Sequence, residues 1–183
     1  MTSVKDQLRN EMRSHLAGLS VRAVEDYSRQ LRALLTFPAG SRVALFAATR
    51  KEPALLDLIP QFPGVSWFLP KVTGPGEMNF IQTSSLAHLR PGSFGILEPD
   101  EGEEAASLDV IVCPGLAFTR QGVRLGQGGG FYDRALARFN ETRKIGVAFP
   151  GQIRPELPRE PHDALMDAVF TPTPEPPNET PEY

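Results

Sequence analysis

Residues 126 to 130 read GQGGG and run straight into a helical pattern, so the backbone must turn sharply here and then coil. Before them the run from Asp109 to Cys113 (DVIVC) predicts a buried strand, and after them Tyr132, Leu136 and Phe139 recur on one face of a helix beginning near Gly130. Glycines at a helix start let the backbone approach a ligand closely, and the free N–H groups and the helix dipole both favour an anion. A glycine-rich turn alone is only a turn. Arg124 just upstream and Asp133 in the first helical turn make this stretch a candidate nucleotide or polyphosphate site. It is not a Walker A loop, because no GK[ST] follows, and it fits a dinucleotide fingerprint poorly, because the strand ends well before the glycines.

Strand and helix patterns alternate along the rest of the chain. A helix is expected over residues 2–18, with Val4, Leu8, Met12 and Leu16 at steps of four; a second runs from a Ser20 cap to about Leu35, with Leu31, Leu34 and Leu35 facing the core. Val43–Ala47 and Val65–Leu69 are strand candidates. A third strand, through Met78, Phe80 and Ile81, returns from the turn at Gly74, Pro75 and Gly76. Pro53 is placed to open a helix. Ser93–Pro99 reads as extended, Asp100–Glu104 as a solvated acidic loop, Lys144–Phe149 and Ala168–Phe170 as strands, and Leu157–Asp167 as a proline-rich connection. Such alternation predicts an α/β fold with a mainly parallel sheet. In that fold the loop after the first strand lies where ligands bind, which gives Glu52 either a functional place or that of an ordinary helix-start acid. Lys5 and Arg9, one turn apart beside the apolar stripe, equally suit a solvated helix face.

A chain of 183 residues supports a single domain, expected over 1–171, with a proline-rich and disordered tail over 172–183. The net charge of −3 offers no general attraction for nucleic acid, so any anion must be held by local cations. No apolar run is long enough to span a bilayer. The charged N-terminus lacks the pattern of a secretory signal, which points to the cytoplasm. Cys113, the one cysteine, reads as a buried structural thiol. His15 and His88 read as surface residues and His162 as structural.

Several segments, taken together, resemble a known family. PGLAFTRQGVRLGQGGGFYDRAL, the KxxxR of Lys5 and Arg9, Glu52 after the first strand, PKVTGPGEMNF, GILEP and LPREPHDALMDAVFT are similar, and fall in the same order along the chain, to segments of the 5-formyltetrahydrofolate cyclo-ligases, also called methenyltetrahydrofolate synthetases. The resemblance implies an open mixed sheet flanked by helices, of the NagB/RpiA/CoA-transferase type. It implies ATP- and Mg²⁺-dependent closure of 5-formyltetrahydrofolate to 5,10-methenyltetrahydrofolate, with release of ADP and phosphate. Its small-molecule partners would be ATP and the folate, and a monomer is expected, with a dimer left open. By position, Lys5, Glu52 and Arg124 would be catalytic. Lys5, Arg9 and Arg124 through Tyr132 (Leu125, Gly126, Gln127, Gly128, Gly129, Gly130 and Phe131 between them) would hold ATP. Glu52 and residues Gln127 to Phe131 would contact the folate, and Asp133 and Asp163 the metal. Gln127 departs from the tyrosine or arginine common in the family, and Asp167 competes with Asp163 for the metal. Arg124 is expected as a partly exposed loop cation with little effect on stability. A non-catalytic phosphate or sugar-phosphate sensor on a similar fold is the alternative, although it would have no use for Glu52 or Asp133.

Overall fold

Serine caps start both of the first helices in the computed structural model, which describes residues 3–173. Ser3 Oγ accepts from the Asp6 N–H at the head of α1 (Val4–Ala17), and Ser20 Oγ accepts from the Ala23 N–H at the head of α2 (Val21–Leu34). Met12 and Leu16 of α1, and Leu31 with Leu35 from the end of α2, are buried. Val4 and Leu34 instead face solvent: Val4 opens its helix beyond the packed face, and Leu34 lies on the flank of a stripe that Leu31 and Leu35 already fill.

β1 (Arg42–Ala44) follows, and the helix expected at Pro53 does not form. Ser28 Oγ accepts from the Ala54 N–H at 3.0 Å and Arg32 Nη1 donates to the Ala54 carbonyl at 2.7 Å, so α2 takes up the carbonyl that a helix opening at Pro53 would need. Only α3 (Leu58–Gln61) coils here. β2 (Ser66–Gly74) is longer than its apolar run, because it pairs antiparallel with β3 (Glu77–Thr83) along its whole outer half. A small hairpin, β4 (Leu89–Pro91) with β5 (Leu97–Pro99), comes next. Ser93–Gly95 forms a single 3-10 turn at its tip, so of the expected extended segment Ser93–Pro99 only Leu97–Pro99 is a strand. The acidic run is exposed in its side chains but paired in its backbone: Gln82 N–H donates to the Glu103 carbonyl and Ala105 N–H to the Phe80 carbonyl, which covers the open edge of β3.

β6 (Val110–Cys113) returns to the middle of the sheet. A further hairpin of β7 (Ala117–Phe118) and β8 (Arg124–Leu125), unforeseen in the sequence, separates it from α4 (Phe131–Leu136). β9 (Arg143–Val147) and β10 (Ala168–Phe170) complete a six-stranded sheet of order β10-β9-β6-β1-β2-β3, parallel except for β3. Side chains alternate across it. Val43, Leu45 and Val112 pack with α1 and α2 on one face, whereas Ala44, Ile111 and Cys113 pack with Ala135 and Leu136 of α4 on the other. The open, mainly parallel sheet with helices on both faces is the expected fold. The chain leaves β1 toward β2 and β3 and comes back to β6 on the other side of β1, so the order reverses between β1 and β6, where open α/β sheets form a crevice. Residues 174–183, most of the predicted tail, lie outside the described residues.

Candidate active site

A cleft of about 740 Å³ opens at the carboxyl ends of β1 and β6. Phe46, Ala47, Thr49 and Glu52 line it from the chain after β1, and Pro114 and Gly115 from the chain after β6. Lys5 and Arg9 of α1 close one side, and Pro70, Val72 and Met78 of β2 and β3 form an apolar wall on another.

The glycine-rich segment forms the floor between them. Gly130 caps α4 with φ +67°, a left-handed conformation that a side chain resists, and with Gly128 at φ +105° it turns the loop into the helix. Among the described residues, no protein acceptor takes the N–H groups of Gln127, Gly128, Gly129 or Gly130, which leaves a row of donors at a helix start. Neighbouring arginines hold the loop by its carbonyls. Arg9 Nε donates to Gly126 O at 3.1 Å, Arg13 Nη2 to Gln127 O at 2.9 Å, and Arg134 Nη2 to Gly129 O at 2.6 Å, while Arg134 Nε reaches Gly76 O of the β2–β3 turn at 2.7 Å.

Each expected metal aspartate is held by an expected catalytic cation. Arg124 Nη2 donates to Asp133 Oδ1 at 2.7 Å and Arg124 Nη1 to Pro114 O at 3.2 Å. Arg124 is buried, at 7% exposure, which corrects the expectation of a partly exposed loop cation: β8 carries it under the loop rather than on it. Lys5 Nζ lies 2.8 Å from Asp163 Oδ2 and 3.2 Å from Glu160 Oε2. Partial burial pulls the Lys5 pKa down, but the hydrogen bonds and charges of Asp163 and Glu160 outweigh it and hold the amine above its ordinary value. Burial likewise pushes Asp163 up, and the Lys5 hydrogen bond and the Glu160 N–H outweigh it, so this carboxyl sits below the usual carboxylate range.

The structure brings Lys5, Arg9, Glu52, Arg124 to Asp133, and Asp163 to one cleft. Glu52 Oε2 accepts from the Thr49 N–H at 2.8 Å, an anchor that keeps the carboxylate at the cleft wall without a helix after it. Leu125 is 2% exposed and serves mainly as core beneath the loop. Tyr132 stacks its ring 5.5 Å from the Arg124 guanidinium; burial pushes its phenol well above the ordinary value, so it remains neutral. Asp163 forms, with Glu160 and His162, a group whose ligand atoms lie within 4.8 Å of one another, and Asp133 is not part of it. Two carboxylates on the cleft rim, both paired with Lys5, offer the oxygen ligands that a hard divalent cation takes. His162 is therefore a cleft-rim residue with a largely exposed ring, rather than a packed structural one. Asp167 accepts from the Lys144 N–H at 2.6 Å at the amino ends of β9 and β10, away from the cleft lining. Cys113 is fully buried and its thiol is pushed up to about 12 by that burial, as suits a structural residue.

Several residues of the site escape a reading of the sequence. Arg13 continues the spacing of Lys5 and Arg9, and that series is its one visible signal. Phe94, Ile96 and Glu98 reach the cleft from the β4–β5 hairpin, and the local pattern gives no hint of it. Phe94 is 80% exposed, adopts φ +59°, and meets the ring of Phe131 edge-on at 6.0 Å. The hairpin tip thus forms part of the cleft wall, at the free-energy cost of an exposed aromatic in a left-handed conformation.

A model of the 5-formyltetrahydrofolate cyclo-ligase family matches residues 1–172. The 5-formyltetrahydrofolate cyclo-ligase of Mycolicibacterium smegmatis is 32% identical over 183 residues, covering 92% of this chain and 93% of the relative. That of Escherichia coli is 44% identical over 153 residues, covering 76% of this chain and 84% of the relative. Among solved structures, the 5,10-methenyltetrahydrofolate synthetase of Aquifex aeolicus superposes with a TM-score of 0.79 at 36% identity, covering 92% of this chain and 90% of that one.

Proposed function

This chain belongs to the 5-formyltetrahydrofolate cyclo-ligase family of ligases, and from that membership we propose that it closes 5-formyltetrahydrofolate to 5,10-methenyltetrahydrofolate, converting ATP to ADP and phosphate with Mg²⁺. The observation that carries the reading is the composition of one cleft: cations and unpaired loop N–H groups on one side, an apolar and aromatic wall with a fixed carboxylate on the other. The first side suits a polyphosphate and the second a flat, hydrogen-bonding ring system.

An amide-like formyl oxygen leaves poorly until it is phosphorylated. When bound, ATP and Mg²⁺ supply the phosphoryl group that makes this oxygen a leaving group and the charge that steadies its transfer, after which the second folate nitrogen attacks the formyl carbon and phosphate departs. The chain's own part is alignment and charge neutralisation. Lys5, Arg9 and the N–H groups of Gln127 to Gly130 bind and orient the phosphates. Arg124 positions Asp133 beneath the loop and adds positive potential there. Asp163, with Glu160 beside it, would hold the metal, and Asp133 faces the same cleft from the head of α4. Glu52 accepts a hydrogen bond from the folate ring, and Phe94, Phe131 and Tyr132 exclude water from its face. We assign the activity to the single domain 1–171 and place it in the cytoplasm as a monomer; no helix of the described residues is long and apolar enough to cross a membrane.

The test is spectroscopic. Protein mixed with Mg²⁺, ATP and 5-formyltetrahydrofolate is expected to develop the near-ultraviolet band of the methenyl product only when ATP is present. Absence of ATP-dependent product at high protein concentration would overturn the assignment.

A further inference from the structure

The strongest unassigned feature lies on the solvent side of α1. Two braces, four residues apart, repeat along this helix. Asp6 Oδ1 accepts from Arg9 Nη1 at 2.6 Å, and Arg9 Nε then donates to Gly126 O; Asn10 Oδ1 accepts from Arg13 Nη1 at 3.3 Å, and Arg13 Nη2 then donates to Gln127 O at 2.9 Å. Arg13 also lies 3.4 Å from Gln127 Oε1 through both Nε and Nη2. The helix therefore grips two successive carbonyls of the glycine-rich loop.

In a trans peptide the C=O of one residue and the N–H of the next point in opposite directions. With Gly126 O and Gln127 O both drawn to α1, the N–H groups of Gln127 and Gly128 must point away from it. A loop rich in glycine does not fix those peptide planes by itself, since each can flip at little steric cost.

We propose that Arg13 is a positioning residue for phosphate binding, acting through the Gln127 carbonyl to set the orientation of the Gly128 N–H. This rests on the reading of the loop as the nucleotide site. Arg13 is not among the residues lining the cleft, so its action on a bound phosphate is indirect. Its charge alone would also attract an anion, and the two roles predict different results.

The experiment compares wild type with Arg13→Ala and Arg13→Lys in steady-state turnover and in the NMR residual dipolar couplings of the amides of residues 126–130, which read the orientation of each N–H. Arg13→Ala is expected to raise the KM for ATP about tenfold, the scale of one hydrogen bond from a charged donor, with the KM for folate little changed. The Gly128 coupling should shrink in parallel as its peptide plane is released. Arg13→Lys, which keeps a donor but not the fork, should recover part of both effects. An unchanged KM for ATP overturns the proposal, as does a raised KM with an unchanged Gly128 coupling, because Arg13 would then act as a bare charge. Wild-type turnover in the same assay separates either failure from a failure of the functional assignment.

Discussion

Arg124 is held on three sides: Asp133 and Pro114 O take its terminal nitrogens, and the ring of Tyr132 lies along its guanidinium. Among the described residues its buried Nε has no partner, so the residue carries a desolvation cost that its other contacts must offset. Arg124→Ala removes that cost but strands Asp133, and the net loss should fall near the low end for a broken buried pair, about 3 kcal/mol. A drop in melting temperature of roughly 10 °C is expected for a domain of this size, together with lost turnover. A variant that melted like wild type would show that Asp133 resolvates freely. The Lys5–Asp163 pair makes a separate prediction about pH. The Asp163 pKa is depressed, so its contribution is present above the unfolded carboxylate value and lost as pH falls through the folded one; the Lys5 pKa is raised, so its contribution is present below the ordinary lysine value and lost as pH rises through the folded one. The contact is thus intact throughout the neutral range. In Lys5→Ala the Asp163 titration should move upward, which carbon-detected NMR of the carboxyl group would register; an unmoved titration would mean that the Glu160 N–H alone sets it.

Among the elements, the β7–β8 hairpin matters more to the site than its two-residue strands suggest. It lowers Arg124 beneath the loop, and its turn docks on the segment that carries Asp163: the Met166 N–H donates to Gly122 O at 2.8 Å, and Gly122 N–H donates to Thr119 O. Gly122 has φ +89°, and a Cβ there would lie 2.1 Å from Met166 O, a backbone atom that cannot step aside. Gly122→Ala should therefore cost roughly 3 kcal/mol, combining left-handed strain with overpacking. Gly40, at φ +86° with open space for 4 Å around the place a Cβ would take, supplies the control, since Gly40→Ala should cost only the backbone strain of about 1 kcal/mol. Denaturant midpoints of the two variants would separate the effects. Equal losses would place the whole cost in backbone conformation.

For the molecule as a whole, the cleft is assembled from distant parts of the chain, so a ligand bound there ties α1, the glycine-rich loop, the strand ends and the Glu160–Asp163 segment together. ADP with Mg²⁺ at a hundred times its dissociation constant should add about 2.7 kcal/mol, raising the melting temperature by roughly 5–10 °C. No shift at any nucleotide concentration would count against the nucleotide half of the site. The residue types of that site are legible in the chain, because glycines before a helix, a nearby arginine and strand–helix alternation each have a local physical cause. The same is true of the Ser20 cap of α2 and of the alternation that buries both sheet faces. Less is legible where partners are remote. Pro53 has a sound local reason to open a helix, but the chain after it is tied to Ser28 and Arg32 of α2 instead. The burial of Arg124, the arrival of Phe94 at the cleft and the removal of Asp167 to the far end of the sheet likewise depend on which strands pair. Sequence by itself determined the periodicities, the capping and the chemistry available, since these act over a few residues. Tertiary structure alone decided which charges meet, because burial and pairing across more than a hundred residues, as between Lys5 and Asp163, are properties of the packed sheet and not of any stretch of chain.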